Sequence, residues 1–129
     1  IIVKDGRILS TGYNGTPSGY KNCNEHWCGE YTDEMPDKVP VEHHEWSKKH
    51  EIHAEMNSII WAARKGISVE GAIIYVTLEP CYDCSKNIIA SGIKEIIYDV
   101  HYEYTNSEEL SEFLEDNNVK VRKADSSIE

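Results

Sequence analysis

The chain has 129 residues, 40% of them hydrophobic, and a formal net charge of -10, which suits one globular domain with a buried core and excludes disorder as the default. No run approaches the roughly 18 apolar residues that cross a bilayer, and the opening "IIVKDG" lacks the basic and apolar regions of a signal peptide, so the expectation is a cytoplasmic protein without a membrane partner. The acidic balance speaks against long nucleic acid as a partner, because such binding neutralises phosphates with Lys and Arg.

In chain order, Ile1 to Gly15 reads as two β-rich runs joined by the hairpin signal Asp5-Gly6. The first residue is not Met and the pattern opens in mid-strand, so an N-terminal element is expected to be missing. Residues 14–50 read as one long irregular segment, dense in Gly, Pro, Asn, charge, Cys, His and Trp. A connection of that length inside a compact domain is functional or disordered, and its ligand-grade side chains favour order. From Glu51 to Lys65 the pattern turns helical: Ile52, Met56, Ile59, Ile60 and Ala63 form an apolar stripe, and Gly66 is a stop signal. "GAIIYVTLEP" is a buried strand closed by Pro80. A helix from Tyr82 to Ser91 ends at Gly92, the strand "IKEIIYDV" follows, residues 107–117 read as helix, and "NVKVRK" reads as the last strand. Helices alternating with near-continuous apolar strands predict a single α/β domain over residues 1–129, with parallel pairing and right-handed crossovers.

The chemistry gathers at two helix starts. His53 and Glu55 are two residues apart, a spacing that in mid-helix sends side chains to different faces. At the open amino end of a helix, both can reach one pocket. Cys81 and Cys84 open the next helix, directly after Pro80, which holds the strand-to-helix corner without needing a donor. Thiolates are favoured at that position by unpaired backbone N–H groups. His53, Cys81 and Cys84 supply one nitrogen and two sulfurs, three protein ligands that leave the fourth position of a tetrahedral zinc for water, which is the catalytic arrangement. Zinc lowers the pKa of bound water to about 7, and Glu55 is placed to move protons, a task worth about 10²–10⁴-fold. Taken singly, His53 reads as a cap or core histidine, Glu55 as a solvated carboxylate, and C-x-x-C as a redox pair or half of a zinc knuckle. Their combination in this strand-and-helix context favours the catalytic metal.

Other clusters leave alternatives open. Gly12, Asn14, Gly15, Thr16, Ser18 and Gly19 offer backbone and hydroxyl donors to a phosphate, with Lys21 nearby; the same residues also make an ordinary surface turn. Cys23, His26, Cys28, His43, His44 and His50 form a second group, in which Cys23, Cys28 and one or two histidines complete a four-coordinate metal site. The alternative there is free thiols and surface histidines beside packed Trp27 and Trp46. His101, Tyr102 and Tyr104 follow a strand end, where they line a pocket, its rim or an oligomer interface.

The joint spacing of H-x-E and P-C-x-x-C is that of zinc-dependent nucleobase deaminases. "HAEMNSII" and "VTLEPCYDCSKNIIASGIKEIIY" resemble the cytidine deaminase-like superfamily, while "GYNGTPSGYKNC" and "EWSKKHEIHAE" resemble its deoxycytidylate deaminase branch, especially phage-type members, over nearly all of Ile1 to Val121. The resemblance implies a three-layer α/β fold, a mixed sheet of five strands flanked by helices. It implies hydrolysis of dCMP to dUMP and ammonia, as precursor for thymidylate, with zinc-bound hydroxide attacking C4 and Glu55 shuttling protons. Ala54 would hold the pyrimidine carbonyl through its backbone, Asn14 would meet the sugar or neighbouring groups, and Tyr102 would touch the base. It further implies a homohexamer, dCTP activation and dTTP inhibition with Mg²⁺, and, for a phage-encoded member, the host cytoplasm. A second, structural Zn²⁺ is implied as well: Cys23 and His43 stand where that subgroup carries ligands, with a shorter loop between them and Cys28 beside them. The competing readings are a cytidine, deoxycytidine or tRNA-type deaminase, and a zinc-stabilised interaction module in which every zinc position is a protein ligand.

Overall fold

The computed structural model describes residues 1–22, 26 and 41–125. Among them the elements run β1 (Ile2–Lys4), β2 (Arg7–Ser10), α1 (Val41–His50), α2 (Ala54–Arg64), β3 (Ile73–Leu78), α3 (Tyr82–Ala90), β4 (Glu95–Val100), α4 (Ser107–Asp116) and β5 (Lys120–Lys123). The chain divides into two compact units, one of Ile1–Tyr13 with Ala54–Glu129 and the other of Asn14–His53.

The larger unit is α/β, built on a mixed five-stranded sheet in the order β2-β1-β3-β4-β5. Asp5 and Gly6 both take positive φ, 52° and 73°, the conformation that a two-residue hairpin demands and that Asp-Gly supplies. β1 is antiparallel to both β2 and β3, whereas β3, β4 and β5 are mutually parallel. Period-two alternation then places Ile2, Ile74, Ile96 and Val121 opposite one another across four strands. The first three are fully buried and share the core with Ala62 of α2, Ile88 of α3, and Leu110 and Leu114 of α4.

Three helices are crossovers between strands: α2 leads from β2 to β3, α3 from β3 to β4, and α4 from β4 to β5. Crossovers of one hand that advance the same way across a sheet put their helices on one face, and α2 indeed packs on α3 and α3 on α4. Their amino ends therefore share the edge at which the parallel strands end, the edge where open α/β sheets bind ligands.

Two expectations are corrected. In α2 the buried residues are Ser58 and Ala62, while Ile60 and Ala63 are exposed. Small side chains occupy the inner face because backbone approaches closely there: a Cβ on Gly12 would collide with the Ala54 carbonyl oxygen and stand 2.6 Å from the Ser58 nitrogen. The segment read as irregular over residues 14–50 also contains a helix, α1. Apart from Val41 and Trp46 its sequence is polar, so apolar periodicity gives no signal. Glu42 in the first turn and Lys48, Lys49 and His50 in the last do carry the charge pattern of a helix dipole.

In the smaller unit, Gly15 and Ile52 form an isolated antiparallel bridge, and rings stack in series, His26 on Trp46, Trp46 on His50 and His50 on Tyr20. No helix among the described residues is long and apolar enough to cross a membrane.

Candidate metal centre and active site

The corner after β3 is shaped by its own sequence. The Glu79 amide donates to the Val100 carbonyl at 2.8 Å, which extends the β3–β4 ladder by one residue. Pro80, fully buried, then turns the chain without leaving a donor unpaired. Cys81 is the N-cap of α3: its backbone is extended (φ -71°, ψ 169°), and its sulfur accepts from the Cys84 amide at 3.5 Å. The cap points the Cys81 sulfur along the helix start, and the next residue on that side is Cys84, buried to 2% exposure.

Glu55 is the second residue of α2, and its Oε2 lies 3.7 Å from the Cys84 sulfur. Ser58 Oγ donates to the Glu55 carbonyl at 2.7 Å, and Ser10 Oγ donates to the Ser58 carbonyl at 2.7 Å. The first turn of α2 is thereby tied to β2. His53 is peptide-bonded to the first residue of that helix. One of its ring nitrogens and the sulfurs of Cys81 and Cys84 all lie within 4.8 Å of one another, which makes this trio a group able to hold a metal among the described residues. A tetrahedral zinc with Zn–S near 2.3 Å sets its sulfurs about 3.8 Å apart, a spacing that falls inside the 4.8 Å bound of this group.

The donor chemistry also fits a cation. The Cys84 thiol is pushed far above the ordinary range for a thiol, first by its hydrogen bond with Cys81, then by burial and by the charge of Glu55. Two thiols and a carboxylate converge on one point, and negative charge cannot accumulate there alone. A divalent ion at the sulfurs removes that conflict, because coordinating thiols are deprotonated outright by the metal. Zinc is the ion for one nitrogen and two sulfurs with an open position.

The remaining expected residues fall in several places. Ala54 is the first residue of α2. Asn14 is exposed. The Gly15 amide donates to the Ile52 carbonyl, so its N–H serves the bridge rather than a phosphate. Thr16 Oγ1 lies 3.3 Å from the Tyr20 carbonyl and 3.2 Å from Asn22 Oδ1, while Ser18 and Lys21 are exposed. Tyr102 is half-buried, with the Tyr104 ring set edge-on at 5.4 Å. Of the second cluster, Cys23 and Cys28 lie outside the described residues, and His43 is half-buried on α1. His26 and His50 enter the stack on Trp46 described above, and His50 Nδ1 meets the Trp46 carbonyl at 2.8 Å.

One group escapes a reading of the sequence. Glu79, 3% exposed, is met by His101 and Ser107 at the same sheet edge. Its only signal is a lone acid ending an apolar strand, directly before the ligand loop.

Residues 1–100 match the family model described as "Cytidine and deoxycytidylate deaminase zinc-binding region". The deoxycytidylate deaminase of Enterobacteria phage T2 is 44% identical over 123 residues, covering 76% of this chain and 65% of that protein. That of Mycobacterium phage D29 is 37% identical over 98 residues, covering 76% and 73%. The crystal structure of a dCMP deaminase from cyanophage S-TIM5, in complex with dCMP and dUMP, superposes with a TM-score of 0.69 at 32% identity and covers 96% of this chain and 78% of that one. This chain thus spans 65% of the length of the T2 relative.

Proposed function

The chain belongs to the cytidine and deoxycytidylate deaminase family, and from that premise we propose that it hydrolyses dCMP to dUMP and ammonia, with zinc held by His53, Cys81 and Cys84 and protons moved by Glu55. The observation that carries this is the Glu55 carboxylate set against a sulfur of a three-donor metal group. Among the relatives, a structure that binds dCMP and dUMP supports the choice of nucleotide.

When bound, zinc supplies a Lewis acid that makes water a nucleophile near neutral pH. The reaction exchanges the C4 amine of the pyrimidine for oxygen. As the water oxygen bonds to C4, Glu55 takes a proton from it and delivers it to N3, which relieves the charge that the loss of aromaticity would otherwise build. Glu55 then takes the second proton from that oxygen and gives it to the amine. The C4–N bond breaks, ammonia leaves, and the C4 carbonyl of dUMP remains. The Ala54 backbone orients the pyrimidine carbonyl, Asn14 meets the sugar or its neighbours, and Tyr102 lies along the base. Thr16, Ser18 and Lys21 bind the phosphate, with Gly15 shaping their turn.

The same reading extends to assembly and regulation: a homohexamer in the cytoplasm, activated by dCTP and inhibited by dTTP with Mg²⁺, and a second zinc on Cys23, Cys28 and His43. Its support is the motif resemblance. The test is a zinc-loaded chain assayed for ammonia release from dCMP, with mass in solution measured with and without dCTP and Mg²⁺. Loss of activity on chelation and recovery with zinc are expected. A persistent monomer with unaltered kinetics overturns the regulatory part alone.

A further inference from the structure

We propose that Glu79 is a positioning residue of this site, a clasp that holds both ends of the loop 101–107 so that Tyr102 stands as a wall of the pyrimidine pocket. The inference rests on the deaminase reading above.

The contacts converge on one buried carboxylate. Glu79 Oε1 lies 3.0 Å from His101 Nδ1. Ser107 Oγ lies 2.9 Å from Oε1 and 2.8 Å from Oε2, and 2.8 Å from the same His101 nitrogen. His101 opens the loop after β4, and Ser107 is the first residue of α4. Between these anchors the backbone is already tight: the Thr105 amide donates to the Tyr102 carbonyl at 2.9 Å, and Asn106 caps α4 by accepting from the Glu109 amide at 3.2 Å. The segment carries the Tyr102 and Tyr104 ring pair. From the strand beneath, the Tyr98 phenol is held above its ordinary pKa by burial, then by the charge of Glu79 and a hydrogen bond to it.

Position gives the clasp its function. Leu78 pairs with Val100 in the parallel ladder, and the Glu79 amide continues that ladder to the Val100 carbonyl. Glu79 therefore stands beside His101, and Cys81 follows two residues later. A leucine at the end of β3 would bury at lower cost than a carboxylate, which needs donors to offset its desolvation. What the carboxylate adds is two acceptor oxygens that fix two points of a neighbouring loop at once. Its two oxygens face His101 Nδ1 and Ser107 Oγ together, so one side chain anchors both ends of the loop.

The test uses zinc-loaded full chain: wild type, Glu79→Gln and Ser107→Ala, with zinc content, kcat and KM for dCMP, the calorimetric Kd of dUMP, and the ¹⁵N signature of His101. Both variants are expected to keep wild-type zinc content and to raise KM and the dUMP Kd about 5–10-fold with kcat within about 2-fold, the pattern of lost binding rather than lost chemistry. In Glu79→Gln only one acceptor oxygen remains for both His101 and Ser107, so the ¹⁵N signature of His101 should shift, which a residue that merely fills space would not cause. Unchanged KM and Kd in both variants overturn the proposal, as does a loss of activity that tracks loss of zinc, which would assign Glu79 to the Cys81 corner instead. If Glu79→Gln does not fold, Ser107→Ala decides by the same criteria. Should wild type deaminate deoxycytidine and not dCMP, the nucleotide reading fails, and KM for deoxycytidine in the same variants decides the clasp.

Discussion

Gly12→Ala isolates the packing that places Glu55. The added methyl would collide with the Ala54 carbonyl oxygen and sit 2.6 Å from the Ser58 nitrogen and 3.0 Å from the Ser58 Cβ. The contact with nitrogen alone is about 0.9 Å short of the roughly 3.5 Å at which non-bonded heavy atoms rest. Both nearest atoms are backbone of α2, so no flexible side chain can swing away. Either the first turn of α2 moves by about 1 Å or the segment after β2, residues 11–13, does. Overpacking of this kind costs about 1–3 kcal/mol. The hydrogen bonds from Ser10 to the Ser58 carbonyl and from Asn57 to the Tyr13 carbonyl, 2.7 Å and 2.8 Å, span the same seam and are worth about 1 kcal/mol each. A loss of roughly 2–4 kcal/mol follows, and at about 4 °C per kcal/mol Tm should fall about 8–16 °C. Because Glu55 rides on that turn, kcat should fall by up to about 10²-fold, the scale of a 1 Å misplacement. Thermal unfolding and steady-state kinetics of the zinc-loaded variant read both effects. A Tm within about 1 °C of wild type with unchanged kcat would refute the steric argument. Gly6→Asn is the contrast: nothing lies within 4 Å of the point its Cβ would occupy, so its cost comes from the positive φ of 73° alone, which Asn tolerates better than other side chains, and kcat is expected to stay unchanged.

Glu55→Gln should keep the metal and the fold while lowering kcat by at least about 10²-fold, since it removes the proposed proton carrier and keeps its size; normal turnover with zinc fully bound would contradict the proposed role. Zinc uptake should release protons and tighten as pH rises. The Cys84 thiol is raised in the metal-free chain and so enters protonated at neutral pH. Calorimetry in buffers of different ionisation heat measures the release, and an affinity independent of pH between about 6 and 8 would count against thiolate ligation.

How far the sequence can be read depends on what kind of signal each element carries. The parallel pairing of β3, β4 and β5 follows from apolar runs alternating with helical ones, and the hairpin from Asp5-Gly6. His53, Cys81 and Cys84 are legible because metal donors are rare side chains in a fixed spacing, and their convergence follows from two crossover helices that begin at one sheet edge. α1 escapes because its stability does not show as an apolar stripe. Within α2, periodicity assigns Ile60 and Ala63 inward, yet Ser58 and Ala62 are the buried residues: the inner face is set by how closely Gly12 approaches, a tertiary fact that no window of one helix contains. The Glu79 cluster is illegible for the same reason, since its partners lie 22 and 28 residues away.

Zinc-dependent hydrolysis of dCMP by this chain is tested most directly by comparing kcat/KM for ammonia release from dCMP, CMP, dCTP, deoxycytidine and a tRNA, with the catalytic zinc fully loaded. dCMP should exceed deoxycytidine, by up to about 10⁴-fold if the phosphate contacts are buried and left unpaired in the nucleoside complex. Deoxycytidine turned over as well as dCMP, ammonia released from tRNA alone, or no ammonia from any of them would contradict it.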